Sequence, residues 1–161
     1  MSRMAQGKKT AMALLIGNRQ KKIKVDLRQL RRSANKVLDE LCCRDRELSL
    51  LLVDNKEIKD INRQYLNRDC PTNVISFSQI EGEFGNVNPQ VLGDIVISVE
   101  KAQSDADEGG LSLEDGIDYL FIHGILHLTG YNHENTTEAE ALKMQNRANE
   151  LFFLLKGYRI E

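Results

Sequence analysis

Several features that define other protein classes are scarce or missing in this 161-residue chain. It has three cysteines, Cys42, Cys43 and Cys70, an odd number with no C-x-x-C pair among them. That excludes a disulfide scaffold and offers no thiol metal site or redox motif, so reduced, partly buried bystanders are expected. No run approaches the ~20 apolar residues of a membrane-spanning helix. The apolar stretch 11–16 follows Lys8 and Lys9, but it is short. Asn18-Arg19-Gln20-Lys21-Lys22 follows it where a signal peptide would carry a small-residue cleavage site. The stretch is therefore taken as a first strand, with a cytoplasmic location and no membrane partner expected. Tryptophan is absent, prolines number two, and neither internal repeat nor low-complexity tract occurs.

Histidine is also scarce, and its placement is informative. The chain has three, and His123, His127 and His133 all fall within eleven residues, spaced H-x3-H-x5-H. Residues four apart on a helix share a face with Cβ atoms roughly 5–6 Å apart, so His123 and His127 can address one ion. Gly130 follows, able to take the left-handed conformation that ends a helix and reverses the chain. The reversal would return His133 as a third ligand. Three neutral imidazoles with an open fourth position describe a catalytic zinc site, one ion per chain. Iron, nickel and copper are compatible with the same donors.

The elongated zinc-protease motif reads H-E-x-x-H-x-x-G-x-x-H. This segment matches it at every defined position but one, where Gly124 stands in place of the glutamate. That glutamate is the base that activates water for peptide hydrolysis. A zinc hydrolase is expected, but not an ordinary protease.

Length and composition predict one domain with a real core, residues 11–161, after a flexible basic tail over residues 1–10. The net charge of −2 hides an asymmetry. Residues 1–46 hold 13 Lys/Arg against 4 Asp/Glu, and residues 47–161 hold 9 against 20. A basic first third suits a polyanion such as nucleic acid, although charge bias carries no specificity of its own.

Taken in order, Met12 to Ile16 predicts a strand. Asp26 caps a helix to about Cys43, with Leu27, Leu30, Ala34, Val37, Leu38 and Leu41 on its apolar face. Arg28, Arg31, Arg32 and Lys36 lie opposite and are candidate RNA contacts. Glu47 to Val53 is a buried strand, and Asp54 or Asn55 caps a second helix whose apolar stripe is expected to be Ile58, Ile61, Tyr65 and Leu66. Thr72 to Ser78 is a strand. Residues 79–92 form a Gly- and Asn-rich connection, either a rim over the site or a surface insertion. Gly93 to Val99 is the clearest buried strand, followed by a short helix from Glu100 to about Asp107. Ser112 starts the histidine helix, whose Leu113, Ile117, Leu120, Phe121, Ile125 and Leu128 cover most of its circumference, marking it as central. Asn135 with Glu138 starts a last helix to about Lys156, and Gly157 ends it.

The histidine segment is similar to the signature of the YbeY family of endoribonucleases. Three further segments resemble that family in the right order: Ile61 to Tyr65, Asp69-Cys70-Pro71-Thr72-Asn73-Val74-Ile75-Ser76-Phe77, and Leu92-Gly93-Asp94-Ile95-Val96-Ile97-Ser98. The resemblance implies an α+β fold: a small mixed sheet of about four strands, about five helices, and the metal at one edge. It implies a single-strand-directed endoribonuclease acting on ribosomal RNA, notably at the small-subunit 3′ end, and in ribosome quality control. The partners implied are the small ribosomal subunit and its assembly factors. The family's zinc ligands fall on His123, His127 and His133. Where the family usually has an arginine after the tyrosine, this chain has Leu66, which leaves Arg68, with Arg63 in reserve, as the candidate cation. Asn132, beside the third ligand, stands where the family often has Asp, and Ser78 where it often has Pro.

Two routes of cleavage stay open. Attack by an activated water leaves a 5′-phosphate and a 3′-hydroxyl, whereas attack by the neighbouring 2′-OH leaves a 2′,3′-cyclic phosphate. Two other functions are compatible with the histidines: a non-catalytic ribosome-assembly factor carrying a zinc, and a peptidase taking its base from Glu134 or Glu138.

Overall fold

The computed structural model describes residues 13–68, 72–78, 90–131 and 137–158. Four strands form one mixed sheet: β1 (Leu14–Asn18), β2 (Glu47–Val53), β3 (Val74–Ser78) and β4 (Val91–Ser98). Their order is β1-β2-β4-β3, with β1, β2 and β4 parallel and β3 antiparallel along the outer edge of β4. The helices are α1 (Leu27–Glu40), α2 (Asn55–Leu66), α3 (Val99–Gly109), α4 (Leu113–Leu128) and α5 (Glu138–Lys156). The α+β class, the four strands and the five helices match the sequence expectation.

The near-continuous apolar runs of β2 and β4 reflect burial on both faces, as parallel strands covered by helices require. Leu48, Leu50, Leu52, Ile95 and Ile97 join the larger core with α1, α4 and α5. Val53, Ile75 and Val96 point the other way, onto Ile58 and Ile61 of α2, whereas Tyr65 and Leu66, expected on the same inward stripe, are exposed where the end of the helix runs past the sheet's core. Among the described residues α2 thus covers one face, and the histidine helix α4 lies within the layer on the other.

Local chemistry sets the helix ends. Asp26, Asp54, Ser98, Ser112 and Thr137 each accept a backbone N–H from the first turn that follows. Several boundaries differ from expectation. β1 runs to Asn18, and Met12 lies outside the described residues. α1 stops at Glu40 because Leu41 caps it and Cys42 takes a positive φ of 58°. β3 begins at Val74, where its pairing with Ile97 begins, and not at Thr72. β4 begins at Val91, and Val99 belongs to α3 because Ser98 caps that helix. The last helix is capped by Thr137, whose Oγ1 accepts from Glu140 N at 3.1 Å, so it starts at Glu138. Asn135, the expected start, lies outside the described residues, as do the basic tail 1–10 and most of the 79–92 connection.

One buried polar cluster ties α4 to its neighbours. Asp118 is 1% exposed, and its Oδ2 accepts from Gln29 Nε2 at 2.8 Å and Ser33 Oγ at 2.9 Å, both on α1. Lys156, at the end of α5, reaches the same oxygen at 2.6 Å and Asp115 Oδ1 at 2.9 Å. Burial raises the Asp118 carboxyl above its usual range. Desolvation pulls the Lys156 ammonium down, but its hydrogen bonds and charge contacts with Asp118 and Asp115 outweigh that and leave it raised. Tyr158, its burial reinforced by a 2.6 Å bond to Asp115, is pushed up to about 12.

Removing Lys156 strands a buried carboxylate. A Lys156→Met variant is expected to lose about 3 kcal/mol of unfolding free energy in a urea titration. Groups raised in the folded state stabilise it fully below their unfolded values and lose that contribution as pH rises through the folded ones. Wild type should therefore weaken from about pH 10 upward, through Lys156 and Tyr158 together, and the variant should show a shallower alkaline fall.

Candidate active site

His123 and His127 sit in the last turns of α4, and ten residues of that helix are buried. Both rings line a groove of about 620 Å³ between α4, the outer strand β3 and the end of α2. Burial all round α4 fixes its position, so the four-residue spacing becomes a fixed pair of imidazoles. Tyr119, one turn earlier on the same face, meets His123 edge to face with ring centroids 4.6 Å apart. Its hydroxyl accepts from Gln145 Nε2 of α5 at 3.0 Å, which holds the tyrosine from outside. The sequence reading missed Tyr119, although the spacing 119, 123, 127 carried the signal.

The turn after α4 forms as the glycine predicts. Gly130 has φ 109°, its N–H donates to His127 O at 3.3 Å, and Tyr131 N donates to Leu126 O at 2.9 Å. This paired closure of the last carbonyls is a Schellman motif, and it turns the chain back at Tyr131. His133 and its neighbour Asn132 lie outside the described residues, as does Glu134. Among the described residues no three His, Cys, Asp or Glu side chains could hold an ion together. The described donors still suit a metal: two imidazoles one turn apart face one cavity, and the Nε2 atom of His123 is buried without a hydrogen bond.

Gly124 faces away from this groove, onto the sheet. A Cβ there would stand 2.9 Å from Ile95 Cγ2 and 3.0 Å from Ile95 Cδ1, inside ordinary contact. Ser76 Oγ of β3 donates to the Gly124 carbonyl at 3.3 Å. The glutamate of the protease motif has no room at this position, so the peptidase alternative loses its usual base for a steric reason.

The candidate arginines separate. Arg68 lines the histidine groove beside Leu66, whereas Arg63 lies on the exposed side of α2, 3.0 Å from Asp60, and is not among the lining residues. Asn67 brings Arg68 in by adopting the left-handed conformation with φ 56°, which Asn tolerates. Arg68 N then donates to Asn62 O at 3.2 Å, and Asn62, 2% exposed, also lines the groove. Asn73 is held by Asp105 of α3 at 3.0 Å. The basic residues Arg28, Arg31, Arg32 and Lys36 are exposed on α1 and none lines the groove. Arg31 instead donates to Leu14 O of β1, the strand at the opposite edge of the sheet.

A family model described as endoribonuclease YbeY matches residues 15–156. The chain belongs to the YbeY family. It is 56% identical over 151 residues to endoribonuclease YbeY of Syntrophus aciditrophicus, covering 94% of each chain. It is 44% identical over 145 residues to endoribonuclease YbeY of Geobacter metallireducens, covering 90% of this chain and 97% of that one. The solution structure of a Thermotoga maritima protein shares the fold, with a TM-score of 0.58 at 24% identity over 89% of this chain and 92% of that one. The YbeY match spans the histidine helix, the β3 edge and the α2 end that together build the groove. No helix among the described residues is long and apolar enough to cross a membrane.

Proposed function

We propose that this YbeY-family endoribonuclease cuts single-stranded RNA at the α4 groove, with one zinc ion held by His123, His127 and His133. The observation that carries the proposal is the pair of histidines side by side on a groove built from the family's own segments. When bound, zinc supplies Lewis-acid polarisation of a phosphoryl oxygen and acidifies water. The chain's own residues supply the rest. Buried α4 and the Tyr119 ring keep the imidazoles in place, so little reorganisation is needed when substrate enters. Arg68 places a guanidinium on the same groove, where charge builds on the phosphate during cleavage. Asn132, next to the third ligand, would tune that ligand's basicity.

The substrate proposed is ribosomal RNA near the small-subunit 3′ end, with the small subunit and its assembly factors as partners in the cytoplasm. The experiment uses a single-stranded RNA of that sequence, the same RNA annealed to its complement, and an assay of product ends. Cleavage of the single strand alone supports the proposal, and the ends distinguish water attack from 2′-OH attack. Intact RNA with metal-loaded protein would refute it.

The arginine assignment has its own expected outcome. Arg68→Ala should lower kcat by about 10²-fold, the scale of one lost charge-stabilising donor. Arg63→Ala, which removes an exposed ion pair, should stay within about twofold. Steady-state kinetics on one RNA substrate checks both.

A further inference from the structure

The histidine groove continues beyond the histidines. A cavity of about 490 Å³ shares Ser78 and Leu128 with it and adds Arg46, Thr129 and Tyr131. A third cavity, of about 540 Å³, shares Tyr131 with the second and is completed by α5, including Lys143 and Arg147. The three lie side by side, each sharing lining residues with the next, along the end of β3, the turn after α4 and the flank of α5.

The charge on this path is unlike that of the rest of the chain. Among the described lining residues, Arg68, Arg46, Lys143 and Arg147 face one carboxylate, Glu150. Residues 47–161 nevertheless carry 20 Asp/Glu against 9 Lys/Arg. Acidic groups gather elsewhere: among the described residues, the cavity on the opposite face of the sheet is lined by Glu57, Asp60 and Asp94 with Arg19 as the one cation. Burial raises the Asp94 carboxyl, and the charged groups in the described lining there are mainly acidic. Cations gathered along three adjoining cavities suit a phosphate backbone. The path also crosses the carbonyl end of α4, which alone would repel an anion, so cations on both sides of it have a clear role.

We propose that this path carries the RNA strand on from the cleavage site, with Arg46 and Lys143 on its backbone phosphates and the half-buried Tyr131 ring, which lines both of their cavities, against a base. Arg147 is engaged with Glu150 at 3.4 Å and Glu40 at 4.0 Å and contributes less, whereas Arg46, which contacts Cys43, has no acidic group beside it in the described lining of its cavity. The proposal rests on the endoribonuclease reading, and it replaces α1 as the expected RNA contact in the basic first third. Arg46 follows α1 in a short turn, where no periodicity marks it.

The test measures binding of 2′-O-methyl single strands to the full chain, with the strands recovered afterwards and shown to be intact. One strand has about three nucleotides and the other about ten, within the range one groove can track. Wild type should bind the longer strand more tightly. Arg46→Gln with Lys143→Gln should cost about tenfold on the longer strand and reduce its log–log salt slope by about 1.4, the loss of two single-strand phosphate contacts. Arg46→Lys, which keeps the charge, should retain the wild-type slope. An Arg28→Gln/Arg32→Gln pair should retain the length advantage. If the groove pair keeps that advantage while wild type still cuts RNA, the path is wrong and the cleavage reading stands. The path is equally wrong if the α1 pair loses the advantage in its place. If wild type neither binds nor cuts RNA, path and cleavage reading fall together.

Discussion

A His127→Ala variant is expected to fold and to lose RNA cleavage by about a thousandfold or more, about 4 kcal/mol of transition-state stabilisation. His127 lines the groove and is half-buried, so a methyl group there removes little core packing. What goes is one of three imidazoles, and with it the proposed ion. Two readouts separate this from unfolding. Circular dichroism should keep the wild-type helical signal, and zinc should no longer raise the melting temperature, because only a ligand bound by the native state shifts that equilibrium. A variant that still binds zinc tightly and cuts RNA at the wild-type rate would remove the histidine cluster from the mechanism.

Gly124→Glu has the second large effect, and it acts on the fold. The substitution completes the protease motif in sequence, so a reading by motif alone would expect peptidase activity. Packing predicts otherwise. The position faces Ile95 at the centre of the sheet, and Ile95 itself has no exposure. A Cβ already comes inside contact distance, and the carboxylate beyond it would be buried without a partner. The variant should lose more than about 4 kcal/mol of stability, read as a urea midpoint far below wild type or as failure to accumulate in soluble form. Gly124→Ala should be milder, about 1–2 kcal/mol, because the atoms it meets belong to a side chain that can shift. A stable Gly124→Glu protein that cuts unfolded polypeptide would contradict this packing account.

Much of the fold was legible because its signals are local. The apolar runs of β2 and β4, the caps Asp26, Asp54 and Ser112, and the stops at Gly130 and Gly157 each state one element's chemistry within a few residues. The histidine pair was legible for the same reason, since a four-residue spacing on a buried helix leaves little freedom. Features that depend on the path between elements were not legible. Arg68, the first choice from sequence, lines the groove because Asn67 turns left-handed, and that turn is not marked in the order of residues. The basic face of α1 has a clear period, yet α1 packs so that these charges face solvent, away from the groove. Arg46 and Lys143, nearly a hundred residues apart, flank one path only because Tyr131 joins the two cavities.

The central claim is that a metal held by three histidines enables this chain to cut RNA. The most direct measurement strips the wild-type protein of metal with a chelator, returns zinc in steps, and follows bound zinc and cleavage of single-stranded ribosomal RNA together. The account predicts no cleavage without metal and a linear recovery that saturates at one zinc per chain. Full cleavage by protein shown to hold no metal would contradict it.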